Sequence, residues 1–192
     1  MGKAIDKLKN IKLVKTISNI CKIEDLRTRI LITIAFIAVY RFGSYIVLPG
    51  VDTAALENLS KQTEGGLMSL LDMFSGGAFS KASIFALGIM PYISASIVMQ
   101  LLGIAVPYFQ KMQREGESGR RKMNQYTRYL TVAILILQAP TYLVNLYRTT
   151  NGTAIFSSLD WTTFYITSTI ILAAGSMFIL WLGERITDKG IG

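Results

Sequence analysis

From Ala82 to Val106 the chain runs for 25 residues without one charged side chain. A helix needs about 20 apolar residues to cross a hydrocarbon core roughly 30 Å thick, so such a stretch is long enough to span a membrane. Its internal proline, Pro91, kinks a membrane helix rather than forbidding it. Three other stretches share this character. Ile30–Leu48 ends at the turn signal Pro49-Gly50, Tyr129–Tyr147 contains Pro140 and is bounded by tyrosines, and Trp161–Leu182 starts and nearly ends with tryptophan. With 51% hydrophobic and only 17% charged residues, a disordered chain is excluded. An all-α membrane protein with four crossings is expected.

The positive charges set the orientation, because Lys and Arg resist translocation. Eight precede the first span: Lys3, Lys7, Lys9, Lys12, Lys15, Lys22, Arg27 and Arg29. Val51–Ser80 carries only Lys61, with Lys81 at the edge of the second span; Gln110–Arg128 carries six; Thr149–Asp160 carries none, with Arg148 at its edge. This alternation predicts a cytoplasmic N-terminus over 1–29, external loops at 49–66 and 148–160, a cytoplasmic loop at 107–128, and a cytoplasmic connection at 183–192. The net charge of +8 then reports topology and contact with anionic lipid rather than nucleic-acid binding. No secretion signal is expected, since the first apolar stretch begins only at Ile30 and is too long for a signal core. Lys residues alternate with Ile5, Leu8, Ile11, Ile17 and Ile20 in the first 22 positions, which fits either an amphipathic surface helix or a basic topogenic flag.

Function classes fall away by residue type. There is no histidine, so His-containing metal sites and Ser-His-Asp triads are excluded, and the single cysteine, Cys21, removes paired-thiol sites. No Gly-rich loop ends in Gly-Lys-Ser/Thr, so no ATP site is expected. Asp72 and Arg41 are the only ionisable residues near membrane depth, too few for hydrolytic or metal chemistry; no enzyme and no cofactor are expected. A solute transporter calls for an inverted repeat and a midplane polar cluster, and neither is visible.

One segment does not fit a simple bundle. Leu67–Phe74 (LMSLLDMF) avoids water, yet at about 12 Å of helix it is too short to span. Ser75-Gly76-Gly77 breaks it, so it is either re-entrant within a bundle or flat at the outer surface. In the following span Ile89, Ile93 and Ile97 recur every four residues beside Ser94 and Ser96, with Gln100 a turn further on. For an arbitrary membrane protein this is a helix-packing face. Arg41, inside the first span, costs roughly 2.5 kcal/mol or more unless it snorkels or pairs, and Asp72 is the acid nearest in depth.

From Phe85 to Ile97 (FALGIMPYISASI) the chain resembles the SecY family of protein-conducting channels. Leu48–Asp52, Met73–Gly77, Glu115–Lys122 and Gly183–Gly192 agree in order and spacing, so the resemblance covers the chain from about Arg27 onward. It implies the first half of a SecY-type channel: four transmembrane helices plus a short re-entrant plug helix, out of two five-helix halves. A chain ending after the fourth helix should not conduct alone.

The resemblance also implies roles. Ile89 and Ile93 become this half's share of an apolar pore ring, which can pass any polypeptide while gating ions by dewetting. Leu67, Met68, Leu70, Leu71, Asp72, Met73, Phe74, Ser75, Gly76 and Gly77 become the plug, within a segment 67–81 whose glycines supply freedom to move. Ser94, Ile97 and Gln100 become one lip of a lateral gate, closed by polar contacts weak enough for an apolar signal helix to displace. Arg114, Glu115, Arg120, Arg121 and Lys122 are either a solvated topogenic loop or, by resemblance, a surface near a cytoplasmic partner. An Arg41 to Asp72 contact would latch the plug; snorkelling of Arg41 is the simpler alternative. Implied partners are SecE and SecG, SecA or a translating ribosome, signal sequences and nascent chains, and anionic lipids, with ribosomal RNA the only nucleic-acid contact.

Overall fold

The computed structural model describes residues 23–53, 56, 67–153, 155 and 160–191. The amphipathic helix expected over the first 22 positions lies outside them, as does most of the external loop before Leu67. Among the described residues the chain is all-helical, with six helices: α1 Glu24–Ser44, α2 Leu67–Phe74, α3 Met90–Ala105, α4 Pro107–Arg114, α5 Glu117–Thr149 and α6 Trp161–Lys189. Two isolated antiparallel bridges, Val47 with Ser83 and Val51 with Ile155, are the only extended pairings there.

Four crossings are expected; among the described residues two helices are long and apolar enough to span a membrane, α5 and α6, and α3 with α4 make a third if counted together. The chain is a membrane protein. α1 falls short because Arg27, Arg29 and Arg41 bracket its apolar run. The second span departs most from expectation. Its helix starts at Met90 rather than Ala82, so Pro91 lies in the first turn, where its missing N–H costs nothing, and does not kink the helix. Residues 82–89 are turns instead. Ala82 and Gly88 take positive φ values of 46° and 56°. The Leu48 amide donates to Ala82 O and the Ile84 amide to Ile46 O, each at 2.9 Å. The other end is bent too: Val106, which precedes Pro107, is extended (φ −110°, ψ 120°), as a residue before proline prefers, and α3 and α4 meet at 98°.

The expected cytoplasmic loop at 107–128 is mostly helical, formed by α4, a turn at Glu115-Gly116 and the first turns of α5. Gly116 takes φ 72°, which only glycine adopts cheaply, and acidic Glu117 opens α5, where the helix dipole favours it. The connection at 183–192 is likewise helical as far as Lys189.

Arg41–Trp181 form one compact unit. Its core gathers Leu48, Val51, Leu56, Ala82, Ala86, Ala139, Tyr142, Leu143, Phe164 and Leu172. The turns of 82–89 are packed rather than loose: Phe85 lies over Gly43 and stacks on Phe178 at 5.9 Å, and Ile84 O lies against Gly175. Within the second unit, which takes in residues up to Tyr40 and those from Leu182, the Arg29 guanidinium donates to Gly190 O and the Ile191 amide to Thr33 Oγ1 (3.4 and 3.1 Å).

Candidate functional site

The half-helix α2 has the bounds the sequence suggests, Leu67–Phe74, and Leu70, Met73 and Phe74 on it are exposed. The segment that follows is fixed by hydrogen bonds. The Asp72 carboxylate accepts from the Ser80 amide (2.9 Å) and from Ser80 Oγ (3.0 Å), closing the turn as aspartate side chains commonly do. Ser75 Oγ accepts from the Phe79 amide at 3.0 Å and donates to Asp72 O at 3.2 Å. Gly76 and Gly77 have φ of 60° and 85°, and their amides bond to Met73 O and Asp72 O. The two glycines therefore serve a closed left-handed turn here rather than an open hinge.

Arg41 does reach this turn, but through a backbone carbonyl and not through Asp72. Its Nη1 donates to Gly76 O at 3.1 Å, while Asp72 is engaged by Ser80; the structure forms no Arg41–Asp72 ion pair. A guanidinium beside a peptide carbonyl satisfies one of its five donors and leaves the rest free to reach an interface. Tyr142 of α5 donates from Oη to Phe79 O at 2.9 Å, with its ring edge-on to Phe79 at 5.0 Å. Sequence reasoning missed both Ser80 and Tyr142. Ser80 could have been found from the acid that precedes it by eight residues across a Gly-Gly break. A tyrosine in the middle of an apolar span signals a buried hydroxyl in need of an acceptor, but not which one.

α3 carries two opposed faces. Pro91, Ala95, Met99 and Gly103 are buried along one of them, and α3 packs on α5. Ile89, just before the helix, and Ile93 and Ile97 stand 37%, 40% and 52% exposed. Within this chain the buried face of α3 is made of Pro91, Ala95, Met99 and Gly103, and the isoleucine stripe lies opposite it. Ser94 is half-buried with its hydroxyl on Met90 O, and exposed Gln100 donates to Ser96 Oγ at 3.3 Å.

At the far end of α3, Gln100 shares a cavity of about 610 Å³ with Ser96, Gln113, Glu117, Arg120 and Asn124. The structure thereby joins a residue expected at the lateral gate to one expected in the partner loop. Gly103 lies under Gln113, and Gly119 against Met112 O, so glycines let the α4–α5 corner close on α3. Around it Arg121 pairs with Glu117 (2.8 Å) and Lys122 with Glu115 (3.5 Å), all well exposed; Arg114 closes α4.

Residues 83–192 match the SecY family model, which covers α3 to α6 and the turn before them. The chain belongs to the SecY family. It is 46% identical over 168 residues to the protein translocase subunit SecY of Escherichia coli K12, covering 88% of this chain and 38% of that protein. The Vibrio cholerae protein of the same name is 44% identical over 170 residues, with 88% and 38% covered. That of Buchnera aphidicola subsp. Schizaphis graminum is 43% identical over 183 residues, covering 95% of this chain and 40% of the relative. The chain spans about two fifths of the length of these SecY relatives.

Proposed function

We propose that this chain contributes the N-terminal part of a protein-conducting channel, which passes unfolded secretory polypeptides across the cytoplasmic membrane and releases membrane segments sideways into lipid. The observation that carries the reading is the isoleucine stripe. Ile89, just before α3, and Ile93 on it are exposed opposite the helix's buried residues. An apolar, chargeless constriction binds neither ions nor a particular substrate side chain and empties of water when narrow. Ile89 and Ile93 are read as part of that constriction, α2 with Ser75–Gly77 as the plug beneath it, and Ser94, Ile97 and Gln100 as one lip of the lateral exit.

The charge alternation supports a cytoplasmic N-terminus, with the α4–α5 corner, Arg114 to Lys122, on the same side. There it would meet the motor SecA or a ribosome, whereas SecE and SecG would complete the channel within the membrane. The chain acts as a conduit and carries out no chemical step. A cysteine replacing Ile93, in the complete membrane complex loaded with a stalled, half-translocated substrate, tests this. A crosslink to the substrate is expected, and its absence would remove the pore assignment.

A further inference from the structure

We infer that Phe85 is a positioning residue: its ring, wedged between Gly43 of α1 and Gly175 of α6, sets where Ile89 stands, whereas Ile93 takes its place from α3 alone. This inference rests on the channel reading above and names what holds Ile89 in the constriction.

The two isoleucines are four residues apart, yet different parts of the chain place them. Ile93 lies inside α3, where the helix's own backbone bonds and the buried Ala95, Met99 and Gly103 fix it. Ile89 precedes the helix. It stands at the N-cap position with no side-chain cap, and its carbonyl accepts from the Tyr92 and Ile93 amides, both at 3.1 Å. The helix claims that carbonyl and nothing else of Ile89, so the path of the chain into this residue is decided by the residues before it.

Those residues form a tight turn that begins at Phe85. The Gly88 amide donates to Phe85 O at 2.9 Å, Gly88 takes φ 56°, and the Phe85 amide donates to Ser83 Oγ at 3.1 Å. Ile89 is the first residue past this closed turn. Phe85 is 3% exposed and Ile89 37%, so the ring is the anchored end and the isoleucine the presented one.

The seat of the ring is specific in shape. A side chain at Gly43 would run into Cε2 and Cζ of Phe85, and one at Gly175 would meet its Cδ1 at 3.2 Å as well as Ile84 O. Phe178 stacks on the ring at 5.9 Å and 17° from parallel, and Trp181 continues the stack at 5.8 Å. The ring thus enters where two helices have given up their side chains, and a flat aromatic fills that space closely. A change of size at such a seat shifts what is attached to it before it unfolds the chain, because packed interiors lose their single arrangement sooner than their stability.

The test uses the complete membrane complex with an arrested translocating chain, in a Cys21→Ser background, and compares substrate crosslinking of Ile89→Cys with that of Ile93→Cys. Phe85→Leu should lower the yield at Ile89→Cys by about threefold or more and leave Ile93→Cys unchanged. Gly43→Ala pushes on the ring from the other side and should give the same split. Leucine lacks the ring atoms that the new methyl group would strike, so Phe85→Leu combined with Gly43→Ala should return the Ile89→Cys yield to within about twofold of the parent, a coupling expected only of residues in contact. A merely structural role would instead lower both yields together with the amount of assembled complex. Unchanged Ile89→Cys yields in both single variants, or parallel losses at the two cysteines, would overturn the positioning role. If Ile93→Cys crosslinks in the parent while Ile89→Cys ignores Phe85, this inference falls alone; if Ile93→Cys fails in the parent, the channel reading falls and takes the inference with it.

Discussion

Two parts of the Arg41–Trp181 unit lie a few residues apart in sequence and are held together by different means. The helices α3 and α5 satisfy their backbone groups internally, so their side chains serve packing: Ala95, Met99 and Gly103 on one helix, Leu135, Ala139 and Leu143 on the other. The stretch 75–89 has no such ladder. Its carbonyls and amides are taken up by local turn bonds such as Ala78 to Ser75 O and Gly88 to Phe85 O, by the side chains of Arg41, Asp72, Ser75 and Tyr142, and by a short pairing with residues 46–48. In a membrane an unsatisfied peptide group is costly, so irregular backbone persists only where such donors and acceptors are built in. Substitutions that are trivial in the helices are therefore consequential in the turns.

The largest effect should come from the wall behind the turns. A side chain at Gly175 would run into Ile84 O. Gly175→Val should cost about 1 to 3 kcal/mol or more and lower the yield of folded complex, read by thermal stability in detergent. Ile136→Val, on an exposed part of α5, should change stability by no more than about 0.5 kcal/mol in the same assay. A tolerant Gly175 would mean that the turns are not packed as described.

Next comes the brace. Asp72→Ala removes the acceptor of both Ser80 bonds and should destabilise the turn by about 1.5 to 3 kcal/mol, the range for bonds to a charged group. Cleavage by an added protease between Ser75 and Ser80 should rise, while α5 stays intact. Equal protection of wild type and variant would erase the distinction between braced turn and self-sufficient helix.

The α6 hydroxyls sharpen the comparison from the opposite side. Ser168 and Ser176 are buried with no hydrogen-bond partner among the described residues. Ser168→Ala removes a polar atom that no bond repays, so stability should hold or rise by a few tenths of a kcal/mol. A marked loss would show that Ser168 does structural work in α6. Smallest of all, Arg121→Gln breaks an exposed i,i+4 pair with Glu117 and should leave melting temperature unchanged within error.

The sequence made the helices more legible than the turns, for a physical reason. α6 begins at Trp161 and α2 ends at Phe74, as composition and glycine breaks suggest, because those signals are local. Residues 82–89 look helical by hydropathy, being apolar and chargeless. What prevents the helix is the pairing of Ile84 and Ala82 with Ile46 and Leu48, together with positive φ at Gly88, and periodicity cannot see a partner nearly forty residues away. The polar run 107–128 reads as loop because its charges suit a solvated segment equally well. Pro107 at the first turn of α4 and the Glu117–Arg121 spacing show how the same residues build helices. At the candidate site the isoleucine stripe was visible as a period of four, but its exposure depends on what packs the opposite face. The tether from Tyr142 joins positions 63 residues apart and left no trace in the local pattern.

In the proposed channel α3 offers its isoleucines to a passing polypeptide and keeps Pro91, Ala95, Met99 and Gly103 buried on the other side. Single cysteines stepped from position 91 to 97, each tested for crosslinking to an arrested translocating chain in the assembled complex, measure this directly. Yields should peak at 93 and 97 and fall to background at 91 and 95, following the helical period. A flat profile, or maxima at 91 and 95, would contradict it.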